Sequence, residues 1–578
     1  MKTNLRIIRM VLLSLTIGLI FIGSSSIPAN AAGPWFVKPG GSDSNNCLSP
    51  STACATINGA IGKASPGDTI LIAVGTYTGS GSDVVLISKN ISLSGGWDTS
   101  FSSQNGTSTI DGENTRRGMD VNNGVTADVD RFTFSNGSSG DGGGIFTEGN
   151  LTLDHCVLSG NLASGGAGIY VGTGSLTLDH TTIDGNVSSF EGGGIWVQDW
   201  TTVTVNNSTI SNNSAVSGGA IFTWGVLNIN NSTLSGNSAN GGGGINILQT
   251  LAVVTINNST ITDNSVSTMG GGGIRNEGGT VTLSNSILAG NHGSWAPNCE
   301  HPIGSAGYNL VGNTAQCTFS STTGDLTDVS PLLGSLQDNG GPTLTHALLS
   351  GSLAIDAADN ASCLPADQTG VIRPVDGDYD SVSTCDIGSF EYVPPTFPDV
   401  QEDHWAWSFV EAIYAAGLTA GYPDGTYRPD NPVTRAEMAV FILKGIYGSS
   451  YTPPTPNGSH PFSDISGHWA EAWMEQLYDE GLTSGYPDST YRPENRVSRA
   501  EMAVFLLKAM HGSAYTPPTP AGGSFTDVGG HWAEDWIEQL KEEGITSGYP
   551  DGTYRPENQV TRAEMAVFLV NAFSLPLP

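Results

Sequence analysis

The sequence predicts two folds in succession: an all-β solenoid, followed by an all-α unit made of three repeats. Two observations lead to this prediction. A glycine-rich phrase ending in Ile recurs at a nearly constant interval through the first half of the chain, with short alternating segments between its copies. A longer repeat with His-Trp and Thr-Arg-Ala-Glu phrases fills the C-terminal part. The length of 578 residues also favours several domains over one.

Residues 1–32 have the pattern of an export signal. Lys2 and Arg9 precede an apolar run over residues 11–22, and small residues follow it. A basic start, a short apolar core and a small-residue cleavage site are typical of secretion. The apolar run is too short to span a bilayer comfortably. We therefore expect cleavage after Ala31 or Ala32, a secreted mature protein and no transmembrane segment in it.

The composition argues against two classes of partner. The chain has 54 acidic against 21 basic residues and a formal net charge of −33. Neither residues 33–396 nor residues 397–578 offer the basic surface that nucleic acids require, and an anionic membrane would repel both. Charged residues make up 13% of the chain, against an average of ~25%. Neutral Ser, Thr and Asn are therefore expected to cover an extended β surface.

Six of the seven cysteines lie in close sequential pairs. An oxidising exterior would favour local disulfide loops between such neighbours, although the sequence alone does not determine the connectivity. Cys156 is left over, and its apolar neighbours suggest a small buried hydrophobe. The spacing offers no zinc site. The paired positions are Cys47, Cys54, Cys299, Cys317, Cys363 and Cys385.

The first repeat has the period of stacked coils. Its phrase ends at Ile145, Ile169, Ile195, Ile221, Ile245 and Ile274. Between copies the apolar residues alternate as they do in a strand, and runs of Asn, Gly and Ser supply turns. Equal units of short strands predict a β-solenoid over residues 33–392, with coils ~4.8 Å apart and ladders of equivalent side chains. The candidates for one asparagine ladder are Asn207, Asn231, Asn258 and Asn285.

These repeats resemble the right-handed parallel β-helix superfamily, the pectate-lyase-like solenoids. Ile210-Ser-Asn-Asn-Ser-Ala, with the following Gly-Gly-Ala-Ile-Phe222, is also similar to the repeat of polymorphic outer-membrane proteins. Trp35-Phe-Val-Lys-Pro-Gly-Gly-Ser-Asp resembles the family's N-terminal cap, which implies a short helix over residues 56–64 that closes the open end. Asp386-Ile-Gly-Ser-Phe-Glu391 is similar to the choice-of-anchor Q domain of secreted bacterial proteins, which implies that domain over residues 300–392.

The C-terminal repeat is marked by three phrases at constant spacing. His-Trp recurs at residues 404, 468 and 531, Gly-Tyr-Pro-Asp at 421, 485 and 548, and Thr/Ser-Arg-Ala-Glu at 434, 498 and 561. Pro-rich spacers, which are semi-rigid and extended, separate the copies. The resulting boundaries are a linker over residues 393–396 and modules over residues 397–448, 462–512 and 525–574.

Each module is predicted to form a helix, a tight loop and a second helix. In the first module, Trp405, Phe409 and Ile413 form an i, i+4 stripe that predicts the buried face of the first helix. Gly417 suits a left-handed end after the last turn. The second helix opens on Thr434-Arg-Ala-Glu437, a capping box in which the hydroxyl and the carboxylate satisfy free N–H groups.

The three phrases resemble the S-layer homology (SLH) domain. The resemblance implies a pseudo-threefold arrangement with grooves between modules, and non-covalent attachment to anionic cell-wall polysaccharide, often bearing pyruvate ketals. An arginine in the first turn of a helix fits this role, because free N–H groups and the helix dipole favour an anion and a guanidinium binds carboxylate bidentately. The resemblance thus implies ligand binding by Arg435, Arg499 and Arg562. The aromatic rings of Trp405, Trp469 and Trp532 could stack on sugar rings. The carboxylates of Asp424, Asp488 and Asp551 could accept hydrogen bonds from sugar hydroxyl groups.

Structural roles compete with several of these assignments. The capping-box Glu is explained by helix capping alone, the tryptophans by burial in a core, and an Asp beside Gly by turn formation. An exposed arginine is harder to explain in this way. Met438 and Ala439 follow the first box, so Arg435 has no acidic partner on its own helix.

The solenoid carries one candidate catalytic cluster. Asp154 and His155 recur as Asp179 and His180, and on adjacent coils they would form an acid–imidazole cluster suited to general acid–base chemistry. The next three coils carry Asn at both positions, so turn residues are the simpler interpretation. No catalytic residue is assigned, and no metal site or cofactor is predicted. Residues 376–380 resemble the start of a calcium-binding loop, but no Glu follows at the twelfth position of that loop. The alternative interpretation of these residues is a solvated acidic turn.

The sequence therefore predicts a secreted bacterial surface protein, with three SLH modules that hold a structural or adhesive β-helix to the wall polysaccharide. The target of the β-helix would be an extracellular glycan or protein. One alternative is a wall-anchored polysaccharide lyase or glycoside hydrolase that acts through the β-helix. A third is a subunit of the S-layer itself.

Overall fold

The computed structural model describes residues 33–577, except residues 269, 402, 403, 459, 521 and 522. The described residues form two compact units, one that ends at Val393 and one that begins at Pro394, each with its own hydrophobic core. The predicted export signal over residues 1–32 lies outside the described residues. No described helix combines the length and the apolar character needed to cross a membrane.

The first unit is a solenoid of parallel strands in three stacks. The first stack contains Trp35–Val37, Thr69–Ala73, Ile91–Trp97, Thr126–Asp130, Asn150–Asp154, Ser175–Asp179, Thr202–Asn206, Val226–Asn230, Val253–Asn257, Thr280–Ser284, Cys299–Gly307 and Cys317–Ser320. The second contains Asp83–Ile87, Arg117–Val121, Ile145–Thr147, Ile169–Val171, Ile195–Val197, Ile221–Thr223, Ile245–Ile247 and Ile274–Asn276, and ends against Cys299–Gly307.

The third stack completes each coil. It contains Thr76–Tyr77, Ser108–Asp111, Phe132–Ser135, Val157–Ser159, Thr182–Asp184, Thr209–Ser211, Thr233–Ser235, Thr260–Thr262, Ile287–Leu288, Leu310–Val311 and Leu326–Thr327. The remaining strands form short pairs: Leu162–Gly165 with Val187–Glu191, Ser238–Ala239 with Ser265–Val266, and the antiparallel pair Leu333–Gln337 with Thr345–Leu348.

The predicted repeat sets the register of the coils. Ile145 lies opposite Ile169 on the next coil, and the pairing continues through every isoleucine of the phrase to Ile274. All six side chains are fully buried, so each coil packs its apolar residues on those of its neighbours. The predicted cap is also confirmed: helix α1 (Ile57–Lys63) begins after Thr56, whose side chain accepts a hydrogen bond from the N–H of Gly59.

A buried asparagine ladder runs along the solenoid, but at a different position from the predicted one. Each amide group donates to the side-chain oxygen of the next asparagine over 2.8–3.2 Å. The rungs are Asn161, Asn186, Asn213, Asn237, Asn264, Asn291 and Asn298.

Of the four predicted rungs, only Asn231 and Asn207 are joined, over 2.8 Å. The side-chain oxygens of Asn258 and Asn285 instead accept the backbone N–H groups of Leu364 and Asp359. The prediction was therefore wrong for these positions, because later residues of the chain compete for their amide groups.

A return segment, residues 343–391, passes back over the third stack. Gln368 lies at its centre: the amide nitrogen donates to the hydroxyl of Thr209 over 3.0 Å, and the amide oxygen accepts from Thr233 over 2.7 Å. The two threonines flank core positions and are fully buried. The segment thereby supplies hydrogen bonds to hydroxyl groups that would otherwise be exposed on the outer face of the stack.

The disulfides join sequential neighbours, as expected: Cys47–Cys54, Cys299–Cys317 and Cys363–Cys385. Cys156 is free and buried. Its thiol lies inside the solenoid, where removal from water raises its pKa to about 12.

Cys156 is therefore expected to resist alkylation in the folded protein, because the reactive species is the thiolate. Iodoacetamide at pH 8 should leave the native full chain unmodified. In denaturant without reductant it should add one carbamidomethyl group per chain, as counted by mass spectrometry. Rapid labelling of the native protein would contradict the burial.

The described residues of the second unit form six α-helices, two per module. They are α2 (Trp407–Ala415), α3 (Arg435–Tyr447), α4 (Glu471–Asp479), α5 (Arg499–His511), α6 (Glu534–Glu542) and α7 (Arg562–Phe573). Helix α3 packs on α4, α5 on α6, and α7 on α2. Each second helix thus contacts the first helix of the next module, and the last module closes on the first.

The helix boundaries correct one prediction about the apolar stripe. Helix α2 begins at Trp407, so Trp405 precedes it and does not belong to its buried face. Ile413 is fully buried and Phe409 packs at the edge of the core. The predicted helix end is confirmed, since Gly417 has a φ of 69° after the last turn.

Candidate functional site

The three modules meet at a closed ring of backbone hydrogen bonds. The N–H of Val433 donates to the carbonyl of Val560 over 2.9 Å, that of Val560 to Val497 over 2.9 Å, and that of Val497 back to Val433 over 3.0 Å. Each valine lies two residues before a second helix, so the helices α3, α5 and α7 begin around a common axis. This arrangement agrees with the pseudo-threefold order expected from the sequence.

The capping boxes open these helices as predicted. In the first, the hydroxyl of Thr434 accepts the N–H of Glu437, whose carboxylate accepts the N–H of Thr434. The boxes at Ser498 and Thr561 are formed in the same way.

Each capping glutamate also binds the arginine of the preceding module. The ion pairs are Arg435–Glu501 at 2.9 Å, Arg499–Glu564 at 2.7 Å and Arg562–Glu437 at 3.1 Å. The third pair joins the last module to the first, so the three pairs form a cycle. The glutamate therefore has a second role, in joining modules, that its own helix does not reveal.

The three arginines are buried, which corrects the expectation that they are exposed. Each residue retains only 4% of its accessible surface. The Nε group of Arg435 donates to the carbonyl of Tyr491 over 2.9 Å, and the hydroxyl of Tyr491 donates back to the carbonyl of Arg435 over 3.0 Å. Arg499 and Arg562 make the same pair of bonds with Tyr554 and Tyr427.

The helix N-termini beside these arginines are not free to bind an anion, contrary to the expectation from the sequence. The N–H of Arg435 donates to the carbonyl of Asn495 over 2.9 Å, and that of Ala436 donates to Pro493 over 3.0 Å. The next N–H is used by the capping box. Carbonyl groups of the neighbouring module therefore accept hydrogen bonds from the first-turn N–H groups that were expected to be free for an anion. A ligand role for the arginines stays a prediction.

The predicted tryptophans lie on the surface of the unit. Trp405, Trp469 and Trp532 expose 61%, 65% and 63% of their surface. Each follows a histidine and precedes a first helix, so the side chain extends from a loop and not from the helix face. The core interpretation of these residues is wrong. Each indole lies 5.5–5.7 Å from the ring of the preceding histidine, and most of its surface is accessible.

The predicted aspartates stabilise the loops in which they lie. The Oδ1 atom of Asp424 accepts from the backbone and hydroxyl of Thr426, and its Oδ2 atom pairs with Arg428 over 2.7 Å. These hydrogen bonds, first those from Thr426 and then that from Arg428, lower the pKa of Asp424 to about 2. Asp488 and Asp551 have the same partners in their modules. The turn role is present in all three, and sugar binding by them stays a prediction.

A cavity of about 950 Å³ opens between the modules. Its lining includes Trp405 from the first module, Arg499 from the second, and Lys541, Tyr549 and Asn571 from the third. Aromatic, basic and amide groups from three modules thus face one space, which is the kind of surface that binds a polar ligand with a few directed contacts.

Sequence reasoning missed Lys541 and the second role of the glutamates. Lys541 occupies a position that is Tyr414 and Tyr478 in the other modules, so comparison of the repeats gave no reason to select it. The acidic partner of each arginine lies in another module. The pattern of residues on one helix therefore does not reveal this partner.

In the first unit, the structure brings together the residues of the candidate catalytic cluster. Asp154 and Asp179 are paired on adjacent strands, and the rings of His155 and His180 stack at 4.9 Å. Near the C-terminal end, carboxylate oxygens of Asp356, Asp376 and Asp378 lie within 4.8 Å of one another. The sequence had singled out residues 376–380 as an acidic turn but not Asp356.

Family comparisons match both units. Residues 396–439, 461–503 and 524–566 match the S-layer homology domain, and residues 74–239 match the right handed beta helix region. The chain resembles Cell surface glycoprotein 1 of Acetivibrio thermocellus, with 38% identity over 26% of this chain and 7% of that protein. It resembles the Cellulosome-anchoring protein of the same organism, with 37% identity over 27% of this chain and 35% of that protein.

The matched segment is therefore a minor part of those relatives. Among solved structures, the pectate lyase Pel9A aligns with 63% of this chain and 97% of its own, with 16% identity and a TM-score of 0.37. The predicted β-helix and the three predicted SLH repeats are confirmed by the family matches. The chain therefore combines a right-handed β-helix with three S-layer homology domains.

Proposed function

We propose that the C-terminal unit anchors the chain non-covalently to cell-wall polysaccharide, so that the β-helix is displayed at the cell surface. The observation that carries this proposal is the set of three S-layer homology domains, joined in a closed ring beside an open cavity. Relatives named for cell surfaces, cellulosome anchoring and S-layers share this segment. The chain is accordingly a protein of the cell wall or cell surface.

The cavity suits a glycan that carries acidic groups. Trp405 offers an exposed aromatic face against which a sugar ring can stack. Glu564 neutralises Arg499 in the wall of the cavity. The other charged groups of the wall are Lys541 and Asp430, so Lys541 is the cation that remains available to an acidic ligand. A carboxylate on the polysaccharide, such as a pyruvate ketal, would then bind near Lys541 and Arg499 through charge-assisted hydrogen bonds.

Replacing Trp405 with alanine tests this role without disturbing the core, because the side chain is 61% exposed. We expect the full chain to bind wall sacculi about 10-fold or more weakly, since losing an aromatic anchor of a binding site costs about 2 kcal/mol. Co-sedimentation with sacculi, with and without their polysaccharide, measures the effect. The matched control is Trp200→Ala, which removes an 87% exposed tryptophan from the β-helix.

The possible outcomes distinguish an error about the binding site from an error about the anchoring itself. If the Trp405 variant binds as well as wild type, the cavity is not the binding site. If wild type itself does not distinguish intact sacculi from those stripped of polysaccharide, the anchoring proposal is wrong. Alanine variants of the buried arginines cannot make this distinction, because their effect on stability would be mixed with any effect on binding.

The β-helix is proposed to act as a structural or adhesive stalk. The outward positions of its first stack between residues 202 and 284 are neutral, with Thr204, Asn228, Thr255 and Thr282 at equivalent places. Residues 300–392 are proposed to be related to choice-of-anchor Q domains, on the basis of the phrase that ends at Glu391.

A second candidate function is cleavage of an acidic polysaccharide. It is favoured by the carboxylates of Asp130, Asp154 and Asp179 on consecutive coils, with Arg131 beside the first of them at 3.7 Å. A lyase would need such acidic groups with a basic residue to accept the proton. Release of unsaturated uronides from polygalacturonate would support this candidate, whereas lattice formation by the purified chain would support an S-layer subunit.

A further inference from the structure

The strands of the first stack are followed by one residue in the left-handed conformation on each of seven successive coils. Their φ values lie between 44° and 60°. Asparagine tolerates this conformation and occupies four of the positions. Histidine occupies two, on adjacent coils. The seven residues are Arg131, His155, His180, Asn207, Asn231, Asn258 and Asn285.

The two histidines converge on one carboxylate. Their rings stack with centres 4.9 Å apart and planes 17° from parallel. The Nδ1 atom of His155 lies 2.8 Å from Oδ1 of Asp154, and Nδ1 of His180 lies 3.6 Å from the same oxygen. One ligand atom from each of the three residues lies within 4.8 Å of the other two, so one small ion could contact all three residues.

Nδ1 of His155, Nδ1 of His180 and Oδ1 of Asp154 have no hydrogen-bond partner in the structure and are shielded from solvent, while the side chains that carry them are 30–44% exposed. The contact between His155 and Asp154 is short, but it lacks the geometry of a hydrogen bond. Buried nitrogen and oxygen atoms are nearly always paired, and an exception requires an explanation. Three of the exceptions among the described residues are grouped at this point of the fold, and each of these three atoms can offer a lone pair.

We propose that Nδ1 of His155, Nδ1 of His180 and Oδ1 of Asp154 bind a divalent transition-metal ion of the zinc class. Zinc bonds of 2.0–2.2 Å in tetrahedral geometry place neighbouring ligand atoms roughly 3.4 Å apart, between the 2.8 and 3.6 Å measured to the carboxylate oxygen. Calcium is a poor fit, because it takes six to eight oxygen ligands.

A neighbouring carboxylate can complete the site. The Oδ1 atom of Asp179 lies 3.2 Å from Nδ1 of His180, and the amide of Asn207 donates to it over 2.8 Å. This hydrogen bond holds the carboxylate in place beside the metal position, as outer partners of metal ligands do. The site belongs to the first unit, whereas the residues proposed to bind the wall belong to the second.

The test is calorimetric titration of the metal-free full chain with ZnCl₂, for wild type and for His155→Asn and His180→Asn. Asparagine is the residue that later coils carry at this backbone position, so the variants are expected to fold. We expect wild type to bind one more zinc ion per chain than either variant, or to bind it at least ~10-fold more tightly. A zinc-dependent rise in the melting temperature of wild type should disappear in the variants.

His301→Asn is the matched control, because His301 is also left-handed, with a φ of 69°, and lies 3.8 Å from a carboxylate oxygen of Glu300. It should retain the zinc binding of wild type. Excess CaCl₂ should not displace the zinc. Equal zinc binding by wild type and both histidine variants, or displacement by calcium, would overturn the proposal. Asp154→Asn provides a third variant if either histidine variant has an altered circular dichroism spectrum.

Discussion

Replacing Arg499 with alanine is expected to lower the free energy of unfolding of the C-terminal unit by about 3–5 kcal/mol. The change removes one partner of a buried ion pair and leaves the other uncompensated, which is the costly way to break such a pair. It would leave Glu564 without its cation and the carbonyl of Tyr554 without a donor. The loss would also open the cycle that joins the third module to the second.

Urea unfolding of the full chain, followed by helical circular dichroism, measures this change, because six of the seven described α-helices belong to the C-terminal unit. The control is Arg492→Asn in the same module, where the pair with Asp488 is 42% and 53% exposed. Asparagine keeps the left-handed backbone of Arg492, which has a φ of 58°. An exposed pair is worth about 1 kcal/mol or less. Similar losses in both variants would contradict the linking role of Arg499.

Replacing Asn237 with alanine is expected to destabilise the solenoid by about 4 kcal/mol. Its side chain accepts the backbone and side-chain N–H groups of Asn213, each over 3.0 Å, and donates to Asn264 over 2.8 Å. It also donates to the carbonyl of Ile210 over 2.8 Å. Alanine would leave several of these fully buried groups unpaired, at about 1–3 kcal/mol each.

Hydrogen exchange with mass spectrometry measures this loss of stability separately for each coil. Amides in residues 202–264 should exchange several hundred-fold faster, since 1.4 kcal/mol corresponds to a factor of about ten. Peptides from the C-terminal unit should be unaffected. Asn228→Ala, which removes a half-buried asparagine outside the ladder, should leave the solenoid unchanged. Unaltered exchange in the Asn237 variant would show that the ladder does not stabilise the coils.

The two periods in the sequence were sufficient to predict the architecture. The spacing of Ile145 and its equivalents implied coils in register, because identical residues at one interval can be buried together only if the chain returns to the same place. The capping box at Thr434 was predictable for a similar reason, since its hydrogen bonds join residues three apart on one helix.

The period did not identify which asparagines point inward. Asn237 and Asn231 recur at the same interval, so the repeat alone does not distinguish them, and the predicted ladder was the one that contains Asn231. Their environments differ because the return segment, far along the chain, covers the turn at Asn231. Only the tertiary structure contains that contact.

What the sequence by itself determined are the features formed within one repeat: the strands, the helices, their caps and the order of the modules. What the tertiary structure decided is how one repeat uses the groups of another. Arg499 is buried because Glu564 and Tyr554 of the next module accept its donors, and His155 meets His180 because one coil lies on the next. Such contacts depend on the closure of a ring or the stacking of coils, which bring together groups that are distant along the chain.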